Sequence, residues 1–147
     1  RIKIGTSFLQ AIEFCGGYTG NPAKLISGGP MMGVAQYTDE VRVTKGSSGI
    51  LVFNREDAHM PDELNCMRCG KCVNVCPQGL MPVMIDQYAR KHDWEKAEDY
   101  DATECTECGC CSFICPSKRA LTQRIRIAKT TILTKRREEQ EAKKNNA

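Results

Sequence analysis

One pattern of cysteines constrains this chain more than any other feature. Cys66-x2-Cys69-x2-Cys72-x3-Cys76-Pro77 recurs as Cys105-x2-Cys108-x2-Cys111-x3-Cys115-Pro116, with Gly70 and Gly109 at the same place in each copy. Thiols spaced two residues apart share a metal centre more readily than they bridge one another. Three of them on one tight loop wrap three corners of a cubane. The fourth, carried off where proline turns the chain, ligates the other cluster. Paired Cys-x2-Cys units also build zinc sites, but zinc takes four ligands and has no use for a third cysteine followed by x3-Cys-Pro. The repeat therefore predicts two [4Fe–4S] clusters. One is expected on Cys66, Cys69, Cys72 and Cys115, the other on Cys105, Cys108, Cys111 and Cys76. Cys15 and Cys110 fall outside the register. Cys15 reads as a small apolar residue at a helix end, and Cys110, which aligns with Lys71, as a bystander thiol.

Ten cysteines in 147 residues would mean disulfides in a small secreted domain. No leader-like segment opens the chain, so a reducing compartment that keeps thiols free is the expectation. The first residue is Arg1 and not Met, as in a piece of a longer protein. No apolar run approaches the ~20 residues that cross a bilayer. The formal charge of +3 counts every thiol as neutral. Two cubanes with four thiolates each carry about −2 apiece and bring the net charge to about −1. That removes the case for a nucleic-acid partner. The remaining positive charge lies mostly between Lys118 and Lys144.

The residues upstream and downstream of about position 54 read differently. Upstream, Arg1–Ile4, Lys24–Ile26, Val41–Thr44 and Gly49–Phe53 read as short strands. Ser7 and Gln10 are spaced as a capping box for a helix carrying Phe8, Leu9, Ile12 and Phe14, and Gly16-Gly17 stops it. Downstream, Leu80 to Tyr100 reads as helix in two pieces, and Leu121, Ile125, Ala128 and Ile132 recur at helical spacing. The expectation is an α+β chain in three parts: a small β domain with one helix over residues 1–54, a mainly helical two-cluster domain over 55–134, and a charged, frayed tail over 135–147.

Other candidates carry less. Gly28-Gly29-Pro30-Met31-Met32-Gly33 fits neither phosphate-loop pattern, and Pro30 removes an amide donor, so it reads as a turn between strands. His59 and His92 have no partners in sequence and read as surface residues. No nucleophile–base constellation is visible, and no catalytic residue is assigned. Arg68 and Lys71 stand between the cysteines of the first run, where the second has Glu107 and Cys110, with Glu104 just ahead. Cations favour the reduced cluster and carboxylates oppose it. The first cluster is therefore expected to have the higher potential.

Taken together, Ile4-Gly5-Thr6, Gly16-Gly17, Ile26 to Gly33, the Lys45 to Phe53 stretch and the two cysteine runs resemble the C subunit of the Rnf (Rsx) electron-transport complex over nearly the whole length. The 28 residues between Cys76 and Cys105 resemble the α-helical ferredoxins more than the compact bacterial ones. The resemblance implies a soluble-ligand-binding β-grasp (ubiquitin-like) domain followed by a dicluster ferredoxin domain. It implies a one-electron relay inside a membrane-associated ferredoxin:NAD oxidoreductase that pumps Na+ or H+. It places the chain peripherally on the cytoplasmic side of the bacterial inner membrane, with the other subunits as partners and soluble ferredoxin as a further candidate. FMN and NADH would belong to an upstream domain not among these residues, so the chain by itself is not expected to turn over NADH. The alternative with the same domain layout is a cobalamin reductase.

Overall fold

The computed structural model describes residues 1–59 and 61–145. The chain divides into two compact units, the first ending at Pro61 and the second beginning at Asp62. That boundary lies a few residues beyond the expected position at 54, because the turn at Asn54, where Asn54 Oδ1 accepts from the Asp57 amide at 2.8 Å, still belongs to the first unit.

In the first unit, helix α1 (Phe8–Phe14) begins as the capping box foretells. Ser7 Oγ accepts from the Gln10 amide and Gln10 Oε1 accepts from the Ser7 amide, each at 3.1 Å. Two of the orphan amides at the helix start are satisfied in this way. The helix buries Phe8 and Ala11. Strands β1 (Lys24–Ser27), β2 (Val34–Gln36) and β3 (Ile50–Phe53) form an antiparallel sheet in the order β2-β1-β3. Leu25 faces Gln36 on one side and Val52 on the other. Residues 28–33 close the β1–β2 hairpin, with the Gly33 amide donating to Gly29 O at 2.8 Å. The glycine-rich run is thus the expected turn.

Two expected strands do not join this sheet. The Thr6 amide turns back to Lys3 O, so the chain bends where residues 1–4 would have had to run straight. Residues 41–44 pair instead with that bend, through an isolated bridge between Ser7 and Arg42. There the Gly5 amide donates to Val43 O and the Val43 amide to Thr6 O, both at 2.8 Å. β2, three residues long, offers too short a stretch for an alternation to be read.

The second unit is helical: α2 (Lys71–Asn74), α3 (Pro82–Ala89), α4 (Trp94–Asp99), a 3-10 turn (Ala102–Glu104), α5 (Cys110–Ile114) and α6 (Leu121–Asn145). Proline at the start of α3 costs no hydrogen bond, since its amide would have been an orphan. Asp93 caps α4 by accepting from the Lys96 amide at 3.2 Å. The apolar stripe of α6, Leu121, Ile125, Ala128 and Ile132, is buried against Ile85, Ala89, Ala97 and Ala102. Tyr88 and Tyr100 stack at 5.5 Å on the edge of this core.

α6 does not end near residue 134 as expected. Its last buried residue is Ile132, but the helix runs on exposed through Asn145. Ion pairs from Lys135 to Glu95 and from Arg136 to Glu98 tie it back to α4. Basic and acidic residues follow one another at helical spacings along this stretch, which supports an exposed helix. Residues 146 and 147 of the expected tail lie outside the described residues.

A charge cluster sits inside the second unit. Asp86 of α3 is fully buried and meets Arg119 and Arg124, with Arg90 one turn along at 3.4 Å. Arg124 reaches on to Glu63 at 2.7 Å, and Arg90 also pairs with Glu63. The segment before the first cysteine run is therefore pinned to α3 and α6 by one shared network. Removing one partner of such a buried network strands the others without water. Asp86→Ala should lower stability by about 3–5 kcal/mol. Arg136→Ala, at an exposed pair, should cost under about 1 kcal/mol. Urea titration followed by circular dichroism checks both, and equal midpoint shifts would contradict the assignment.

Candidate metal centres

The cysteine repeat is also a backbone repeat. In the first run Arg68 (φ +55°) and Gly70 (φ +73°) take left-handed conformations; in the second, Glu107 (φ +56°) and Gly109 (φ +84°) do the same. Glycine suits the second position of each pair because it precedes a helix, α2 or α5, from a conformation that strains other residues. The resulting loop turns amides toward sulfur. The Arg68 amide lies 3.4 Å from Cys66 Sγ, and the Glu107 amide 3.3 Å from Cys105 Sγ. After each fourth cysteine the copies still agree: the Gly79 amide donates to Cys76 O and the Lys118 amide to Cys115 O, both at 3.1 Å.

Two chambers are lined by thiols. Cys66, Cys69, Cys72 and Cys115 line one, of about 440 Å³. Cys76, Cys105, Cys108 and Cys111 line the other, far tighter at about 20 Å³. Each gathers three thiols from one run and the fourth from the other, in the sets the spacing predicts. The crossing is fastened by backbone contacts beside it. Ser117 Oγ donates to Asn65 O at 2.9 Å, and the Leu64 amide donates to Ser117 O at 3.0 Å. The residues just ahead of Cys66 are thereby held to those just past Cys115.

The donor sets suit an iron–sulfur cluster. Each is four soft sulfur donors, and the carboxylate lining the second chamber, Glu107, is taken up by Arg126. Burial pushes the thiols of Cys72, Cys105 and Cys111 up, with neighbouring cysteines adding to the rise. Thiols that resist ionising in this way become thiolates when a metal compensates the charge.

The site also contains residues that the cysteine pattern leaves out. Thr122 Oγ1 lies 3.5 Å from Cys111 Sγ and 2.9 Å from Ser112 Oγ. Lys129 Nζ donates to Cys105 O at 2.7 Å. With Arg126 it places two cations of α6 beside the second chamber. Their positions next to the buried stripe were the available signal, but only the fold shows which chamber they face. This alters the expected contrast between the runs, since the Glu107 carboxylate is compensated and not free. Arg68 and Lys71 are exposed.

The remaining candidates stay apart from the chambers. Cys15 is at the C-cap of α1 as expected but is exposed and not packed as an apolar residue. Cys110, expected as a bystander thiol, has its thiol hydrogen-bonded with Cys108, which pushes it up, while the Cys110 amide holds Cys108 down. It does not line the second chamber. His59 and His92 are exposed, His92 edge-on to Trp94 at 5.2 Å.

Comparison with known proteins agrees with this geometry. Residues 65–119 match the 4Fe-4S dicluster domain family, and residues 1–35 match the SLBB domain family. The chain is 50% identical over 136 residues to the C subunit of a Na(+)-translocating ferredoxin:NAD(+) oxidoreductase complex of Acetobacterium woodii, covering 92% of this chain and 31% of that protein. It is 48% identical over 130 residues to the proton-translocating counterpart of Clostridium ljungdahlii, covering 88% and 28%. The C subunit of an ion-translocating oxidoreductase complex of Methanosarcina acetivorans is 45% identical over 141 residues, covering 96% and 32%. The chain thus spans about a third of the length of these relatives.

The crossing makes a test. Cys76→Ser should damage the cluster whose other ligands lie in the second run and spare the one beside it in sequence. Cys110→Ser should leave both clusters in place. Iron content and EPR of each reduced variant read this out. Loss of iron from Cys110→Ser to the degree seen for Cys108→Ser would show that the register of the second run is wrong.

Proposed function

The chain belongs to the family of Rnf-type C subunits, of whose length it spans about a third, and from that premise we propose that it relays electrons singly between two [4Fe–4S] clusters. The relay would serve a membrane-associated ferredoxin:NAD oxidoreductase that moves Na+ or H+. The observation that carries this reading is the pair of four-thiol chambers with exchanged fourth cysteines. Cys66, Cys69, Cys72 and Cys115 would hold the first cluster, and Cys105, Cys108, Cys111 and Cys76 the second. When bound, each cluster supplies a site that takes up and releases one electron.

The chain's own residues then do three things. The left-handed loops aim amides at sulfur, which stabilises the extra negative charge of a reduced centre. Buried Ile125 of the α6 stripe lines the second chamber and presents an apolar wall to it. Arg126 and Lys129 offset Glu107, so a carboxylate close to that chamber does not oppose reduction. The partners would be the other subunits of the complex. No helix among the described residues is long and apolar enough to cross a membrane, which suits a peripheral place on the cytoplasmic face. FMN and NADH would be handled by parts of the relatives' length that this chain does not span. Neither the sites nor the relatives support the cobalamin-reductase alternative.

The compensation of Glu107 narrows the expected difference in potential without reversing it, since Arg68 lines the first chamber and Lys71 follows it in the same run. An EPR-monitored redox titration tests the relay. Two one-electron steps are expected, with the Cys66–Cys69–Cys72–Cys115 cluster filling first. Arg68→Glu should lower that midpoint by on the order of tens of millivolts and leave the other unmoved. Arg126→Ala should lower the second midpoint by a similar amount, because it uncovers Glu107. A protein that holds iron but takes up no electrons would overturn the proposed function.

A further inference from the structure

The two copies of the repeat stay in register beyond their cysteines. With Cys72 set against Cys111 and Cys76 against Cys115, Val73 stands opposite Ser112 and Val83 opposite Thr122. The helices keep the same alignment, since Pro82 opens α3 where Leu121 opens α6. Val73 and Val83 line the first chamber, and Thr122 lines the second. Valine and threonine are both β-branched and differ in a methyl against a hydroxyl. At these two positions, then, the second copy carries hydroxyls where the first carries hydrocarbon.

Those hydroxyls are bonded in series. At the start of α6 the Thr122 amide has no partner within the helix and donates to Ser112 Oγ at 2.8 Å. Ser112 Oγ lies 2.9 Å from Thr122 Oγ1, which in turn lies 3.5 Å from Cys111 Sγ. Cys111 and Thr122 are buried, so bulk water does not compete for these bonds. A cysteine that ligates iron is a thiolate and has no proton to give. The last bond therefore runs from the Thr122 hydroxyl to sulfur. Thr122 Oγ1 is then left to accept from the Ser112 hydroxyl, which itself accepts from the amide. Every donor in the series points one way, from the positive end of a 25-residue helix toward a cluster ligand.

Resting on the reading that Cys76, Cys105, Cys108 and Cys111 hold a cluster, we propose that Thr122 donates a hydrogen bond to the Cys111 thiolate and raises that cluster's reduction potential, with Ser112 as its positioning residue. Reduction adds one negative charge, so a donor aimed at a ligating sulfur favours the reduced form. A hydrogen bond to an ionised acceptor is stronger than one between neutral partners, and burial strengthens it further. Positions 73 and 83 hold valine and offer the first cluster no such donor. The effect opposes the advantage that Arg68 gives the first cluster and draws the two midpoints together, which eases electron passage in both directions.

The test is an EPR-monitored redox titration of the cluster-loaded chain. Thr122→Val keeps the β-branched shape and removes the hydroxyl. The ratio of reduced to oxidised second cluster at a fixed potential should fall about tenfold, which is ~59 mV for one electron. The first midpoint should stay where it is. Thr122→Ser, which keeps the hydroxyl and gives up the methyl, should recover most of the shift. Ser112→Ala should lower the same ratio by less, about threefold, because the Thr122 hydroxyl remains but is no longer oriented. Should Thr122→Val impair loading, Val73→Ser with Val83→Thr builds the series beside the first cluster, whose midpoint should then rise. A loaded Thr122→Val chain with its second midpoint unmoved, a Thr122→Ser chain shifted as far as Thr122→Val, or an unmoved first midpoint in the Val73/Val83 variant would overturn the assignment of the donor. Absence of a second cluster from the unaltered chain would instead overturn the reading on which it rests.

Discussion

The exchange of fourth cysteines governs the architecture of the second unit. Cys76 leaves the first run to line the second chamber, and Cys115 leaves the second run to line the first. Neither chamber can be completed by one run folding alone. The two loops must therefore lie side by side, and the 28 residues between Cys76 and Cys105 have to leave this pair and return to it. They do so as α3, α4 and the 3-10 turn, whose apolar faces meet α6. The helical core is thus the connection that brings two distant loops together, and its stripe supplies Ile125 to the lining of the second chamber and Leu121 to that of the first.

Electrostatics is divided along the same line. The buried Asp86 gathers Arg119 and Arg124 and shares Arg90 and Glu63 with them, which fastens the approach to Cys66 against the core. α6 supplies a second set, Arg126 and Lys129, to Glu107 and the Cys105 carbonyl. One helix thereby organises charge near both chambers while contributing no thiol. Arg68 and Lys71 of the first run have no such ion pair among the described residues, and both are exposed.

Much of the site was legible because its chemistry is local in sequence. Cysteine spacing, the glycine in each run and the following proline all act within a dozen residues, and the chambers gather the thiols in the sets that the spacing implies. The α1 capping box and the α6 stripe were legible for the same reason. What was hidden depends on tertiary contacts. The bend at Lys3–Thr6 turns an apparent strand into a bridge partner for Arg42. The helix beyond Ile132 persists through charge pairs with α4, which a polar, lysine-rich stretch does not advertise. The partnering of Glu107 by Arg126 joins residues from different elements, so reading each run alone overstated the charge contrast between them. Cys110 lies against Cys108, closer to the second chamber than an unaligned thiol suggests.

The exchanged fourth cysteines call for two cubane clusters within one unit. Anaerobic iron and sulfide analysis, combined with EPR of the fully reduced protein, tests this most directly. Roughly eight iron and eight sulfide per chain are predicted, with a spectrum broadened by coupling between two reduced centres. About four iron with a single uncoupled signal, or zinc in place of iron and no sulfide, would contradict it.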